Sequence, residues 1–326
     1  VLYTGDGNSG RSITGVGFKP DFVWVKSRTN TEGHIIFDSV RGVNKRLLAM
    51  GTQTEATAVG GLNSFDDDGY STGVYTGTNQ LNQNYVAWCW KAGGAAVTNN
   101  DGSRTTQVSV NQTAGFSIGT FTGDVANTHT IGHGLGKVPS VIIVKERTGN
   151  SGWAVYHKSR GNAKVSYLNS SDSEYTETGN TSSWNATNPT SSVFSVGKNG
   201  ATNDNTLVFY AWAEIEGFSK FGSYTGNANA DGPFVYCGFK PAFVMTKRTD
   251  STSNWIILDS SRGPANPDLG WLYANLSYYE EDGSGRHVDF LSNGFKLRTA
   301  GTDINASGTY IFMAFAESPF QTANAK

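Results

Sequence analysis

Gly17-Phe18-Lys19-Pro20-Asp21-Phe22-Val23-Trp24-Val25-Lys26 decides how the chain is read, because its spacing occurs three times. Gly136-Lys137-Val138-Pro139-Ser140-Val141-Ile142-Ile143-Val144-Lys145 and Gly238-Phe239-Lys240-Pro241-Ala242-Phe243-Val244-Met245-Thr246-Lys247 repeat it. In each copy the proline precedes the lysine by six residues, and the lysine precedes an Arg-Gly pair by fifteen. The lysines recur after 119 and then 102 residues. A period near one hundred is too long for a solenoid repeat or a propeller blade, and it suits an independently packed domain.

Working outward, each copy opens on an aromatic-Thr-Gly signal, at Tyr3-Thr4-Gly5, Phe121-Thr122-Gly123 and Tyr224-Thr225-Gly226. The quoted strand is followed by a polar turn and a second β-rich run, a pattern that predicts a hairpin. Those runs are His34-Ile35-Ile36-Phe37-Asp38, Trp153-Ala154-Val155-Tyr156-His157 and Trp255-Ile256-Ile257-Leu258-Asp259. Each copy closes on its most apolar segment: Tyr85–Trp90, Leu207–Trp212 and Tyr310–Phe315. Strands apolar at consecutive positions are expected to be covered on both faces.

Composition agrees with an all-β class. Glycine numbers 40 against 8 prolines, and Gly-, Thr-, Ser- and Asn-rich stretches separate short β-branched and aromatic runs. The expectation is three tandem antiparallel β-sandwiches, jelly-roll or concanavalin-like, at residues 1–94, 108–217 and 218–326. Residues 95–107, rich in Gly, Ala, Asn and Thr, read as an irregular linker. Glu216-Gly217-Phe218 joins the second and third copies with almost no slack.

A net charge of −2 gives no reason to expect a nucleic-acid or acidic-membrane partner. Cys89 and Cys237 lie at non-equivalent positions and read as small buried apolar residues rather than a disulfide framework. No run is long and apolar enough for a membrane helix. The chain opens at Val1, directly in strand-like sequence and without an initiator Met, which suggests a piece of something longer.

Few residues carry chemistry. Arg41, Arg160 and Arg262 stand at equivalent points, and Glu55, Glu174 and Glu280 each follow an equivalent Leu48, Tyr167 or Tyr273 by seven residues. Every copy of a fold must be braced, whereas few functions need one site in triplicate. The arginines therefore read as forks bracing a loop against carbonyls or that glutamate. Asp66-Asp67-Asp68-Gly69 reads as a turn rather than a calcium loop, which would alternate its acids with other residues. His129 and His133 lack companions at metal-ligand spacing, so no metal and no cofactor are expected. Glu214 and Glu216 are the only closely alternating carboxylates, and they fall at a junction rather than in a cleft. Trp184 and Asn185 in a Ser/Asn-rich loop, and Trp271 after a glycine, are candidates to stack on and hydrogen-bond a sugar, the alternative being that each indole tucks back onto the edge of its own sandwich.

Tyr85-Val86-Ala87-Trp88-Cys89-Trp90-Lys91-Ala92-Gly93-Gly94, followed by Ala114-Gly115-Phe116-Ser117-Ile118, resembles repeated β-domains in structural proteins of marine bacteriophages. Glu216–Gly226 and the run Ala314–Phe320 share that resemblance, which covers essentially the whole chain. It implies a virion location and a non-enzymatic role in a tail fibre or other projecting appendage. The implied partners are other virion proteins and a host-surface glycan or envelope component. Full-length assembly as a homotrimer follows by analogy with fibre-forming viral β-proteins. The other expectations carried forward are a glycan-degrading tailspike-type enzyme and a capsid-decorating or assembly protein.

Overall fold

Phe22–Ser27 and Val141–Glu146 are buried at every residue, and their two faces go to different places. A computed structural model describes residues 1–318 except 264, 268, 269, 282, 284 and 285. Strand dominates it; helix is confined to the single turns Thr76–Asn79, Gly200–Asn203 and Thr302–Asn305 and one 3-10 turn. Each repeat has a large antiparallel sheet in which the closing strand lies between the opening strand and the Pro-to-Lys strand. In repeat one the order is Leu2–Thr4, Asn84–Trp90, Phe22–Ser27, Ile35–Asp38, Lys45–Leu48 and Ala56–Thr57. A smaller sheet covers one face of it, formed there by Arg11–Ile13, Gly69–Thr72 and Ser64–Asp66.

The period-two alternation of the strands explains the double burial. Val23, Val25, Tyr85 and Ala87 enter a core private to repeat one, while Phe22, Trp24, Val86, Trp88 and Trp90 point the other way. Leu207, Phe209 and Ala211 alternate with Val208, Tyr210 and Trp212 in the second repeat. Tyr310, Phe312 and Ala314 alternate with Ile311, Met313 and Phe315 in the third. The second set from all three repeats forms one common core. Trp90 lies 6.3 Å from Trp212, 5.6 Å from Phe243 and 5.3 Å from Phe315, ring centre to ring centre. Trp90, Trp212 and Phe315 are equivalent residues of the three repeats, so the chain is arranged about a pseudo-threefold axis.

Two repeated sequence features acquire reasons here. Gly17, Gly136 and Gly238 open the quoted motif with φ of +81°, +67° and +84°, a region that side chains strain to enter. The glycine of each aromatic-Thr-Gly signal lies against the single helical turn; a Cβ there would come within 2.1 Å of Gln80 O, 2.5 Å of Asn203 C and 2.1 Å of Ala306 O. Each turn ends in a fully buried asparagine. The Nδ2 of Asn203 reaches the carbonyls of Asp124, Asn127 and Gly197, and its Oδ1 accepts from the Asp124 N–H. Asn79 and Asn305 tie their own opening loops in the same manner.

The segment 95–107 is not the irregular linker that its composition suggested. Val97–Asn99 pairs with Thr106–Asn111, which pairs in turn with Phe116–Thr122, extending the second repeat's large sheet by a hairpin. The Asn99 Oδ1 accepts from the Asp101 N–H at the turn, so the Asn- and Gly-rich composition marked a hairpin tip. On its amino side, the Asp21 carboxylate accepts from the Ala92 and Gly94 N–H groups and fastens the crossing to repeat one.

Candidate functional site

Arg41 is buried, and it forks between Asp38, the Lys45 and Ile36 carbonyls and Glu55. Burial opposes its charge, but Asp38, Tyr210 and Glu55 outweigh that effect and hold the guanidinium well above its ordinary range. Arg262 repeats the fork with Asp259 and the Ile257 carbonyl, and its Nη1 is 3.7 Å from Glu280. Arg160 differs: His157 replaces the aspartate, and the arginine pairs bidentately with Glu174.

The glutamates do more than brace their own loops. Glu55 accepts two hydrogen bonds of 2.9 Å from Arg147 of the second repeat, and Glu280 binds Arg28 of the first in the same bidentate way. The Glu55, Glu174 and Glu280 N–H groups donate to Arg147 O, Thr249 O and Arg28 O, each on the following repeat. A second layer follows the same cyclic order. Tyr210 donates to Asp38 at 2.7 Å, His157 contacts the Phe312 carbonyl at 3.1 Å, and Trp88 donates to Asp259 at 3.0 Å.

Trp153 and Trp255 donate across to Leu48 O and Tyr167 O at 2.9 and 3.0 Å. The buried lysines of the founding motif work at the same joints. Lys145 reaches Thr52 O of repeat one, and Lys247 reaches Ser171 O of repeat two. These contacts link the three repeats in a closed cycle, while Lys26 stays within its own repeat, donating to the Ser27 and Asn30 carbonyls.

Of the two readings of the loop tryptophans, the structure has the inward one. Trp184 is 1% exposed and packs edge-on against Tyr156 at 5.7 Å, and Trp271 is 2% exposed beneath the Arg286 guanidinium. Ser182 and Ser183 beside Trp184 are buried too, hydrogen-bonded to Gly179 O and to Glu177. The polar loop folds over its own sandwich and seals the private core with the indole. Asn185 is half-buried in a left-handed turn, its N–H donating to Ser182 O. None of these presents a ring face to solvent.

The outer sheet of repeat three carries the aromatics that the sequence reading passed over. Inward-facing Ile13, Ile131 and Val235 pair with Tyr70, Phe194 and Phe295, which aligns the three outer sheets residue by residue. The outward positions flanking them are Ser12 and Thr14 in repeat one, Thr130 and Gly132 in repeat two, and Phe234 and Tyr236 in repeat three. Phe234 is 43% and Tyr236 63% exposed. Phe234 lies across Gly294, where a Cβ would meet its ring at 2.9 Å. Lys296 pairs with Asp231 next to Phe234, and Arg298 with Asp289 on the neighbouring strand. Two exposed rings therefore share one side of this outer sheet, with the Lys296–Asp231 and Arg298–Asp289 pairs nearby. Tyr278 and Tyr279 add a second exposed aromatic pair before Glu280.

The remaining candidates are dispersed. Asp68 accepts from the Gly15 and Gly17 N–H groups, which fixes the acidic run as part of a turn. His133 is buried between Thr190 O and the Leu135 N–H, while His129 faces Arg104. Among the described residues no three His, Cys, Asp or Glu side chains gather as a metal site. Glu214 is tied to Lys158 and Lys220 at the junction of repeats two and three, away from the exposed Glu216. Cys89 and Cys237 are free thiols that burial pushes up to about 12.

A family model described as a domain of unknown function (DUF7483) matches residues 1–319, and the chain belongs to that family. The match runs through all three repeats. No curated protein and no solved structure is similar.

Proposed function

We propose that this member of the family is a non-enzymatic structural module of a virus particle, part of a tail fibre or comparable appendage that meets the host surface. The observation that carries the reading is the pair of exposed rings, Phe234 and Tyr236, at outward positions of an outer sheet where repeats one and two have Ser12, Thr14, Thr130 and Gly132. Rings set on a rigid sheet and bordered by charged groups suit a hydroxyl-rich ligand, which needs an apolar face and hydrogen bonds together. The locked ring of repeats supplies a stiff mount for it. The resemblance of the closing strands to bacteriophage structural domains supports the virion location. Other virion proteins and a host glycan or envelope component are the proposed partners, with a homotrimer as the assembled form.

The purified chain should compete with whole particles for adsorption to host cells, and Phe234→Ser with Tyr236→Thr should abolish the competition. Competition unchanged by that pair would remove the carrying observation. Reducing-sugar release from host polysaccharide, lost in Glu214→Gln, would replace the reading with a glycan-degrading enzyme. Density for the chain only on the capsid shell would make it a decorating protein.

A further inference from the structure

The three joints share one plan, and the joint between repeats three and one departs from it at two buried positions. Trp153 and Trp255 stand at the start of the second run of their repeats, where repeat one has His34. Their indole N–H groups reach the Leu48 and Tyr167 carbonyls of the preceding repeat. Tyr273 offers the equivalent carbonyl to His34, but the shorter imidazole makes no hydrogen bond to it. Lys145 and Lys247 likewise cross to Thr52 O and Ser171 O, whereas Lys26 donates only inside its own repeat. Among the described residues, the polar links from repeat three to repeat one are Trp88 to Asp259, Arg28 to Glu280, and the Glu280 N–H to Arg28 O.

His34 is fully buried, parallel to the Trp88 ring at 6.2 Å and edge-on to Trp24 at 5.7 Å. Its Nδ1 accepts from the Trp24 indole N–H at 2.9 Å, which places the imidazole's own proton on Nε2. That N–H is buried without an acceptor, so it contributes nothing to holding the joint shut. A further proton has only Nδ1 to bind, where it would confront the Trp24 N–H. The charges that face the ring are Lys26 on its own repeat and Arg262 across the joint. Asp259 is engaged by Arg262 and Trp88, Glu280 by Arg28, and Arg286 lies beyond, over the Tyr273 ring at 5.4 Å.

We propose that His34 is an acid-released latch on the joint between repeats three and one: a proton on its imidazole breaks the Trp24 hydrogen bond, adds a positive charge beside Lys26 and Arg262, and opens the joint. Burial first, and those two cations second, hold the imidazole well below its ordinary value while the joint is closed. Opening returns it to about 6.5, so the open joint binds the proton and is favoured as pH falls through that value. Lys26, which burial lowers to about 7, is already largely charged there and adds little to the change.

Amide hydrogen exchange in the intact chain reads the joints separately, because the Glu55, Glu174 and Glu280 N–H groups each donate to the next repeat. Glu55 is the reference; His157, buried at the joint of repeats two and three, rules Glu174 out of that use. From about pH 6.5 to about pH 5, the protection of Glu280 relative to Glu55 should fall about tenfold after correction for intrinsic exchange. His34→Gln, which stays neutral, should hold that ratio within about twofold. His34→Trp, which supplies the indole of the other repeats, should raise Glu280 protection at about pH 5 by about tenfold or more. A ratio that stays level in the unaltered chain, or that falls as far in His34→Gln, would overturn the proposal. The Gln variant decides the matter by itself if the larger indole does not pack.

Discussion

Asn203 shows how much one amide can hold: three carbonyls of two loops lie within 3.0 Å of its Nδ2, and the side chain is fully buried. Asn203→Ala leaves those carbonyls without that donor, in a site where water does not replace it. The expected cost is about 2–4 kcal/mol in urea unfolding, and a change below about 0.5 kcal/mol would refute the role. Buried ionisable residues predict the pH profile. Burial lowers Lys26 to about 7, and Lys145 and Lys247 to about 8. Burial lowers His133 and His157 to about 4.

Each of these groups binds protons more readily unfolded, so stability rises with pH between its folded value and its ordinary one. Burial raises the tyrosines, with Tyr85 and Tyr310 pushed up to about 12, which reverses the sign above the ordinary tyrosine range. Stability should therefore climb from about pH 4 to about pH 6.5, climb again towards about pH 10, and fall beyond it. A maximum near neutrality in equilibrium denaturation would contradict this assignment.

At the scale of strands and junctions, the glutamate contacts separate by neighbour. Arg147 and Arg28 stand across from Glu55 and Glu280, but Thr249 occupies that position across from Glu174. Glu55→Gln and Glu280→Gln should thus each cost about 1–3 kcal/mol, because a charge-assisted bridge to the next repeat is lost along with support for a buried arginine. Glu174→Gln should leave its joint with repeat three intact. Limited proteolysis checks this: cutting between repeats two and three no faster in Glu174→Gln, but faster at the other joints in their variants, is the expected pattern.

The strands were legible in the sequence because consecutive apolar residues require two covered faces. What covers the second face was not legible, since period-two alternation says nothing of where a face points. The asparagine staples escaped notice because Asn79, Asn203 and Asn305 precede Tyr85, Leu207 and Tyr310 by six, four and five residues. The inward turn of Trp184 was not legible because its loop is rich in serine and asparagine, yet Ser182 and Ser183 are buried with it, and the sequence alone does not say that Phe234 and Tyr236 face outward.

For the whole molecule, the common core makes the three repeats one folding unit. Repeat two alone would expose Val141, Ile143, Trp153, Val155, Val208, Tyr210 and Trp212 as one apolar face, far more than a soluble monomer ordinarily tolerates. The cyclic Glu-to-backbone bonds close only when all three repeats are present. Calorimetry of the intact chain should accordingly give one transition with equal calorimetric and van't Hoff enthalpies. Trp90 is the sharpest probe, because its ring touches residues of both other repeats. Trp90→Ala should cost about 3–5 kcal/mol and move the entire transition down. If instead one third of the enthalpy shifts while the rest stays in place, the repeats are independent sandwiches and the common core is only a contact between them.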